Sequence, residues 1–579
     1  MSPLDTRSTF RFGEFELDIS AYELRRGGQS VHLERHPMDL LILLVERRRQ
    51  LVSRGDIVKR LWGSNVFVDV EMGVNTAIRK LRQALRDSRG SPAFVETVSG
   101  KGYRFIAPVS AVLPERHQEA IESVAVLPFA NDSADPDVEY LSDGITETLI
   151  NNLSQVRNLR VVARSTVFRY KGKEADPQKA GSDLHVRAVV SGRLLQRGST
   201  LIVRAELMDV ATGAQLWGGQ YNRQAEDVFL LQGDLSREIS EKLQLQLTGD
   251  QKQRLTKRYT EDAEAYRLYL KGRYHWNKRN PEDLQKAVEY FRQALDKDPA
   301  YSLAYAGLAD TYPYLSFFHV VPPRVAMPKA KTAAAKALEI DDNLAEAHVS
   351  LGYVSFTYDG DWSAAGKHFE QALALNPAYS GAHTFYAFYL SSLGRSEEAL
   401  AVAKRALDRD PASSAVSHSL AVQFYLARQF EQAIEQAHNT LEMDAHFAIS
   451  YEVLGEAYLS KGMYREGLLA LKQFSALSRS SATSRALLGY SLARLGEHSA
   501  ALRIIEELEA GSKQRFVPAL LFALVYAGLD DQDQTFSWLE KAYEERFYRV
   551  AYLKVEPLWD RLRPDPRFVD LLRRVGIPP

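Results

Sequence analysis

Residues 95–105 read "VETVSGKGYRF", and the glycine-lysine-glycine at the centre of that stretch admits two structures with different chemistry. One is a loop that cradles phosphate; the other is the tip of a β-hairpin. A phosphate loop places about four residues between its first glycine and the Gly-Lys pair, follows the lysine with Ser or Thr to hold magnesium, and then opens a helix. Here Gly102 follows Lys101 directly, and the continuation "FIAPV" does not start a helix. The alternation in "FVETVSGKGYRFIAPV" on both sides of a glycine-rich centre therefore reads as two antiparallel strands. In that hairpin Gly100 and Gly102 relieve the turn, Lys101 and Arg104 place cations beside a polyanion backbone, and Tyr103 serves as packing or as contact.

Upstream of the hairpin the pattern changes period. "FRFGEFELD" and "ELRRGGQSVHL" alternate as short strands, with Gly27-Gly28 at a tight turn. "HPMDLLILLVERRRQ" reads as a buried helix. "SRGDIVKRLWG" reads as a second, opened by the capping-box spacing Ser53 to Asp56 and closed by Gly63. A third helix is expected at about 71–87. Val74, Ile78, Leu81 and Leu85 recur at steps of four, three and four, so they form one stripe facing a core. Thr76, Arg79, Lys80 and Gln83 then point outward beside Asn75, with Arg82 and Arg86 on the flanks. An outward basic face on a helix suits the major groove of DNA, where long cations reach phosphates and guanine edges.

Charge agrees with that placement. Residues 1–110 carry 18 Lys+Arg against 13 Asp+Glu, net +5, while the other 469 residues carry 55 against 61, net −6. The chain has 579 residues and no cysteine, which excludes a disulfide framework, thiolate zinc sites and a cysteine nucleophile. Its longest apolar run, "VPALLFALVYAGL" at 517–529, falls short of the roughly 18 residues that span a bilayer. "MSPLDTRSTF" lacks a basic start followed by an apolar stretch. A cytoplasmic protein without a membrane anchor is the expectation.

Together the leading strands, "VNTAIRKLRQAL" and "VETVSGKGYRFIAPV" resemble the winged-helix DNA-binding domain of OmpR/PhoB-type regulators, in the version found in CadC/ToxR-like regulators. The resemblance covers about residues 10–109. It implies that Thr76, Arg79, Lys80 and Arg82 lie in or beside the major groove, with Asn75, Gln83 and Arg86 on the same DNA-binding surface. It implies that Thr97, Lys101, Tyr103 and Arg104 lie on the wing, near the minor groove or backbone. It also implies that the loop "WGSNVFVDVEMG", residues 62–73, contacts RNA polymerase, and that two protomers bind a direct repeat of double-stranded DNA. Met72 and Gly73 depart from the pattern, standing where relatives carry polar or basic residues.

Residues 110–120, "SAVLPERHQEA", read as an exposed linker. Beyond it, "SVAVLPF" and "LRVVAR" read as strands, "EYLSDGITETLINNLSQV" as a helix, and residues 185–223 as three antiparallel strands including His185; a helix at about 224–247 closes the unit. "VAVLPFANDSADPDVEYLSDGITETL", "RSTVFRYKGK" and "GAQLWGGQY" resemble a TolB amino-terminal-like domain, which brings no established activity. Asp143, Glu147 and Asp183 are expected in helix-capping or surface roles.

From residue 260 onward the chain repeats itself. Ala387, Ala421, Gly455, Gly489 and Ala523 stand 34 residues apart. Twelve positions later come Ala399, Ala433, Gly467, Ala501 and Thr535, and seven further on Ala406, Thr440, Phe474, Leu508 and Ala542. Small side chains at the first two points let paired helices approach closely. With "YEVLGEAYLSKGMYREGLLALKQF" and the endings at Pro299, Pro377 and Pro411, these resemble tetratricopeptide repeats. Units near Gly272, Ala309 and Gly352 bring the expected number to about eight. Such an array offers a concave face, where Tyr386, Phe388 and Tyr425 are candidates to line a groove for a protein or peptide.

The expected fold is multidomain and mainly α: a winged helix-turn-helix domain (8–110), an α+β middle domain (120–250) and an α-solenoid of tetratricopeptide repeats (260–579). The expected function is sequence-specific transcriptional regulation, with the middle domain and repeats sensing a protein or ligand. No catalytic residue, metal or cofactor is expected: there is no G-x-S-x-G elbow, and no glycine-rich loop joins a strand to a helix. Five cations meeting phosphates imply a log-log salt slope of about −4 to −5. The alternative is a repeat scaffold whose winged helix binds protein instead of DNA.

Overall fold

The computed structural model describes residues 9–63, 70–112, 121–133, 135, 138–156, 159–172, 176–224, 227–243 and 257–578. The chain divides into two compact units, Met1–Glu119 and Ala120–Pro579.

In the first unit, strands β1 (Thr9–Phe12), β2 (Phe15–Asp18), β3 (Glu23–Arg26) and β4 (Gln29–Val31) form an antiparallel meander, with Gly27 and Gly28 at positive φ in the last turn. Helix α1 (Arg35–Glu46) follows, then β5 (Leu51–Ser53), α2 (Arg54–Trp62) and α3 (Val70–Leu85). The capping box is present: Ser53 Oγ accepts from the Asp56 amide at 3.1 Å, and the Asp56 carboxylate accepts from the Ser53 amide at 3.2 Å. Strands β6 (Val95–Val98) and β7 (Gly102–Phe105) form the hairpin, and β7 pairs on its other side with β5. The start of the expected linker is a strand instead. Ser110–Val112, β8, pairs antiparallel with β1 and completes a five-stranded sheet, because the free edge of β1 accepts the alternating chain that leaves the hairpin. Residues 113–120 of that linker lie outside the described residues.

In the second unit, β9 (Ser123–Val126) runs parallel to both β11 (Arg160–Val161) and β12 (Ala188–Arg197). Strand β10 (Ala130–Asn131) pairs with β12, and β13 (Thr200–Asp209) and β14 (Gln215–Gln224) continue antiparallel. Helices α4 (Glu139–Ser154), α5 (Arg164–Val167), α6 (Pro177–Asp183) and α7 (Val228–Lys242) complete this part. His185 sits at φ 53° in the turn ahead of β12, outside the strand expected to hold it.

Among the described residues eight helix pairs follow, the first Ala263–Asn277 with Pro281–Lys297 and the eighth Ala519–Gly528 with Gln532–Glu545. The periodic small residues are buried at the crossing of each pair. A β-carbon on Gly272 would lie 2.5 Å from the Phe291 ring, and one on Gly455 would lie 2.5 Å from Leu471. Larger side chains there would force the helices apart. "VPALLFALVYAGL" supplies a buried helix of the eighth pair, and no helix of the described residues is long and apolar enough to cross a membrane.

Candidate nucleic-acid interface

Helix α3 divides as its period requires. Val74, Ala77, Ile78, Leu81 and Leu85 are buried, while Asn75, Arg79 and Gln83 are exposed on the opposite side and Arg86 is exposed just past the helix end, at φ 52°. Arg79 and Arg86 form no ion pair with any described residue. Three other expected residues carry local duties. Lys80 Nζ lies 2.5 and 2.6 Å from the two carboxylate oxygens of Glu34, just ahead of α1, and the ammonium holds that carboxyl below its ordinary range. Arg82 Nη2 donates to Val95 O at 2.8 Å and to Thr97 Oγ1 at 2.9 Å, tying α3 to the wing. Thr76 Oγ1 donates to Met72 O at 2.8 Å within the helix.

The hairpin places Lys101 at its exposed tip without an ion pair among the described residues. Gly100 supplies the positive φ of the turn, at 71°. Gly102 does more than relieve a turn: a β-carbon there would lie 2.1 Å from Val52 O, so only glycine lets β7 approach β5. Arg104 lies 3.3 Å from Glu96 across the hairpin. Tyr103 is 4% exposed, which makes its ring packing; its hydroxyl donates to Asn75 Oδ1 at 3.3 Å. It positions Asn75, and its buried ring is withheld from a duplex.

Arg54, at the first turn of α2, was not indicated by the sequence. Its guanidinium reaches Asn75 Oδ1 and the Tyr103 hydroxyl, both at 3.4 Å, and lies over the Tyr103 ring. The capping pattern places Arg54 at a helix start, but neither partner is near it in sequence. Of the loop expected to contact RNA polymerase, residues 64–69 lie outside the described residues; Trp62 at its start packs against His36 and closes over Gly73.

The candidate groove residues separate. Tyr386 stacks on Tyr389 of its own helix and meets Phe369 of the preceding pair, half-buried against the core between the two pairs. Phe388 faces Tyr552 at 6.3 Å, and the Tyr425 hydroxyl donates to Glu556. Both therefore touch the chain's own C-terminal segment.

Asp143 and Glu147 are buried, not at the surface, because cations distant in sequence cover them. Lys171 Nζ lies 2.6 Å from Asp143, while Arg164 and Arg273 lie 3.0 and 2.6 Å from Glu147. Burial pushes the carboxyl of Asp143 up; it pushes that of Glu147 up as well, but Arg273 and Arg164 outweigh it and hold Glu147 below its ordinary value. Asp183 ends α6 and does not join them. Among the described residues no group of three or more His, Cys, Asp or Glu is set to hold a metal.

Comparison with known proteins follows this division. Residues 28–105 match the family described as transcriptional regulatory protein, C terminal; residues 119–236 match the second domain of HilA/YgeH-like transcriptional regulators; residues 357–422 match the tetratricopeptide repeat. Transcriptional regulator HilA of Salmonella typhimurium is 26% identical over 70% of this chain and 71% of its own length. A putative adenylate cyclase 3 of Rhizobium meliloti is 32% identical over 49% of this chain, which spans 45% of that relative's length. The RstA DNA-binding domain of Klebsiella pneumoniae, solved in complex with the RstA box, is 31% identical over 17% of this chain and 96% of its own, with a TM-score of 0.16. Segment by segment, the chain is similar to an OmpR/PhoB-type winged helix, to the second domain of HilA/YgeH-like transcriptional regulators and to the tetratricopeptide repeat.

Proposed function

We propose that the chain regulates transcription as a cytoplasmic, non-enzymatic protein that reads duplex DNA with α3 and the β6–β7 hairpin. The supporting observation is the stripe Asn75, Arg79 and Gln83, exposed opposite the buried stripe of the same helix, with Arg86 exposed just past the helix end. Arg79 and Gln83 read base edges, where guanidinium and carboxamide groups form paired hydrogen bonds with guanine and adenine. Arg86 and Lys101 neutralise phosphates, and the wing contributes Thr97 and Arg104 at its side. Tyr103, Arg54 and Arg82 hold these groups in place.

Domain roles follow. Residues 8–110 bind DNA, residues 120–250 and the repeats from 260 onward receive a protein or ligand signal, and residues 62–73 contact RNA polymerase. Two protomers occupy a direct repeat. The test is genome-wide selection of bound fragments by the full chain and by its Arg79→Ala variant. Enrichment of a shared motif that vanishes in the variant supports the reading. Retention of proteins on the winged helix after nuclease treatment, with no motif enriched, rejects it in favour of the scaffold alternative.

A further inference from the structure

The period that builds the repeats stops before the chain does. The next positions after Ala523 and Thr535 are 557 and 569, which hold a proline and the 57% exposed Val569. Residues beyond 545 accordingly form no ninth pair of the same kind. They make two short 3-10 turns, Tyr548–Tyr552 and Pro557–Leu562, and one helix, Pro566–Val575.

This segment lies along the first helices of five successive pairs. Tyr548 meets Phe317 of the second pair at 5.7 Å. Tyr552 stands 6.3 Å from Phe356 of the third and from Phe388 of the fourth. Tyr425 and Arg428, at the end of the fifth pair's first helix, engage Glu556 and Asp560. Arg549 reaches the sixth pair, 2.5 Å from Glu452 and 3.0 Å from Glu456. Ala551 and Val555 join the core of pairs three to six.

The contacts are of two kinds: Phe547, Leu553, Leu558, Trp559 and Phe568 join the apolar core of pairs six to eight, and the polar ones are complementary in both directions, the repeats offering two carboxylates to an arginine, then a hydroxyl and a guanidinium to two carboxylates. Without the segment, Glu452 and Glu456 would stand one turn apart on a single helix with no cation. A segment that covers them takes both charges out of water, where unpaired charges are costly, so an occupant of this face must bring a cation to that point. Contacts drawn from several successive first helices are those of a bound extended segment.

We propose that residues 546–578 are a ligand held in cis, and that the partner of this face is a polypeptide segment with an arginine followed at three residues by an aromatic and at seven and eleven by carboxylates. Arg549, Tyr552, Glu556 and Asp560 have that spacing. Partner and tail compete for one surface, so the repeats are closed until the tail is displaced. This rests on the reading of the repeats as a protein-binding region.

The test uses the full chain and a labelled synthetic peptide of residues 546–565. Arg549→Ala with Asp560→Ala loosens the tail and leaves the wall intact, so this variant is expected to bind the peptide at least ten-fold more tightly than wild type. Adding Glu452→Gln and Glu456→Gln is expected to abolish that gain. Hydrogen exchange of the wild-type chain provides a readout without substitution: amides of 546–578 are expected to exchange well before those of the repeat helices. Exchange of tail and repeats in one step, or equal peptide binding by all three chains, overturns the proposal. So does a stable dimer by sedimentation with the tail seated on a second copy. A polypeptide partner that binds regardless of Glu452→Gln and Glu456→Gln rejects this site while the protein-binding reading stands; fast tail exchange with peptide bound by the loosened variant supports the site even where no natural partner is found.

Discussion

Arg79 and Lys80 are neighbours in sequence and alike in charge, yet Lys80 is paired with Glu34 and Arg79 with no described carboxylate, so the proposed interface predicts different outcomes for their removal. Arg79 is exposed and carries no ion pair among the described residues, so its guanidinium is available to a base edge. A bidentate contact of that kind is worth about 1–3 kcal/mol, which converts to roughly 5- to 150-fold in affinity for Arg79→Ala. Lys80 is already held by both oxygens of Glu34, so Lys80→Ala removes a cation that is largely neutralised. It should weaken binding by less than about five-fold, given the ~0.2–1 kcal/mol of exposed pairs. The reverse change is more telling: Glu34→Gln frees Lys80, tightens binding and steepens the log-log salt slope by about 0.9. Arg86 and Lys101, the two free cations assigned to phosphates, give a slope of about −1.8, shallower than the −4 to −5 of five cations. Fluorescence anisotropy on a selected duplex, titrated with salt, reads all of these numbers. An Arg79→Ala chain that binds like wild type, or a Lys80→Ala chain that binds worse than Arg79→Ala, would refute the assignment.

Three further outcomes are expected. Arg82→Ala should destabilise the first unit by about 1–3 kcal/mol through the lost bonds to Val95 O and Thr97 Oγ1, read by urea unfolding followed at Trp62; unchanged unfolding would mean the helix-to-wing tie is dispensable. Gly102→Ala should cost at least about 1–3 kcal/mol, because φ is 149° and the new β-carbon meets Val52 O at 2.1 Å; a variant of wild-type stability would contradict the close approach of β7 to β5. Burial pushes the Asp310 carboxyl up to about 6, against Ser350 and Arg273, so the folded chain favours its neutral form. That contribution is complete below the ordinary carboxylate range and is lost as pH rises through about 6. Asp310→Asn should flatten the fall in second-unit stability between about pH 4 and 7, and an unchanged profile would reject the assignment.

What the sequence reveals and what it conceals divide by separation along the chain. The capping box at Ser53 and Asp56, the stripe of Val74, Ile78, Leu81 and Leu85, and the small residues every 34 positions are decided within a few helical turns or by self-comparison, and each lies where its period placed it. Side-chain partners obey no such period. Glu34 is 46 residues from Lys80, and Arg273 is 126 from Glu147. Nothing in the local pattern distinguishes a cation that will meet phosphate from one that will neutralise a carboxylate of its own chain, which is why Lys80 and Arg79 look equivalent until the fold is formed.

The same distinction explains the acids of α4. Asp143 and Glu147 are one turn apart on a helix whose local surroundings give no reason for burial, so a solvated face is the natural expectation. Their burial comes from the first repeat helix, Ala263–Asn277: a β-carbon on Gly144 would lie 2.8 Å from Leu270, and Arg273 and Asn277 descend onto Glu147. Leu149, Leu235, Leu268 and Leu270 belong to one apolar cluster, so α4, α7 and that repeat helix share a core. A ligand or protein that shifts the first repeat pair must therefore move or break the Arg273 contact to Glu147, and because Arg164 stays beside that carboxylate the cost is a share of the roughly 3–5 kcal/mol of an uncompensated buried charge. That is comparable to the whole coupling energy between sites in ordinary regulated proteins, about 1–3 kcal/mol. Displacement at the repeats thus has a direct energetic route into the middle of the chain, through two carboxylates that the sequence presents as ordinary surface acids.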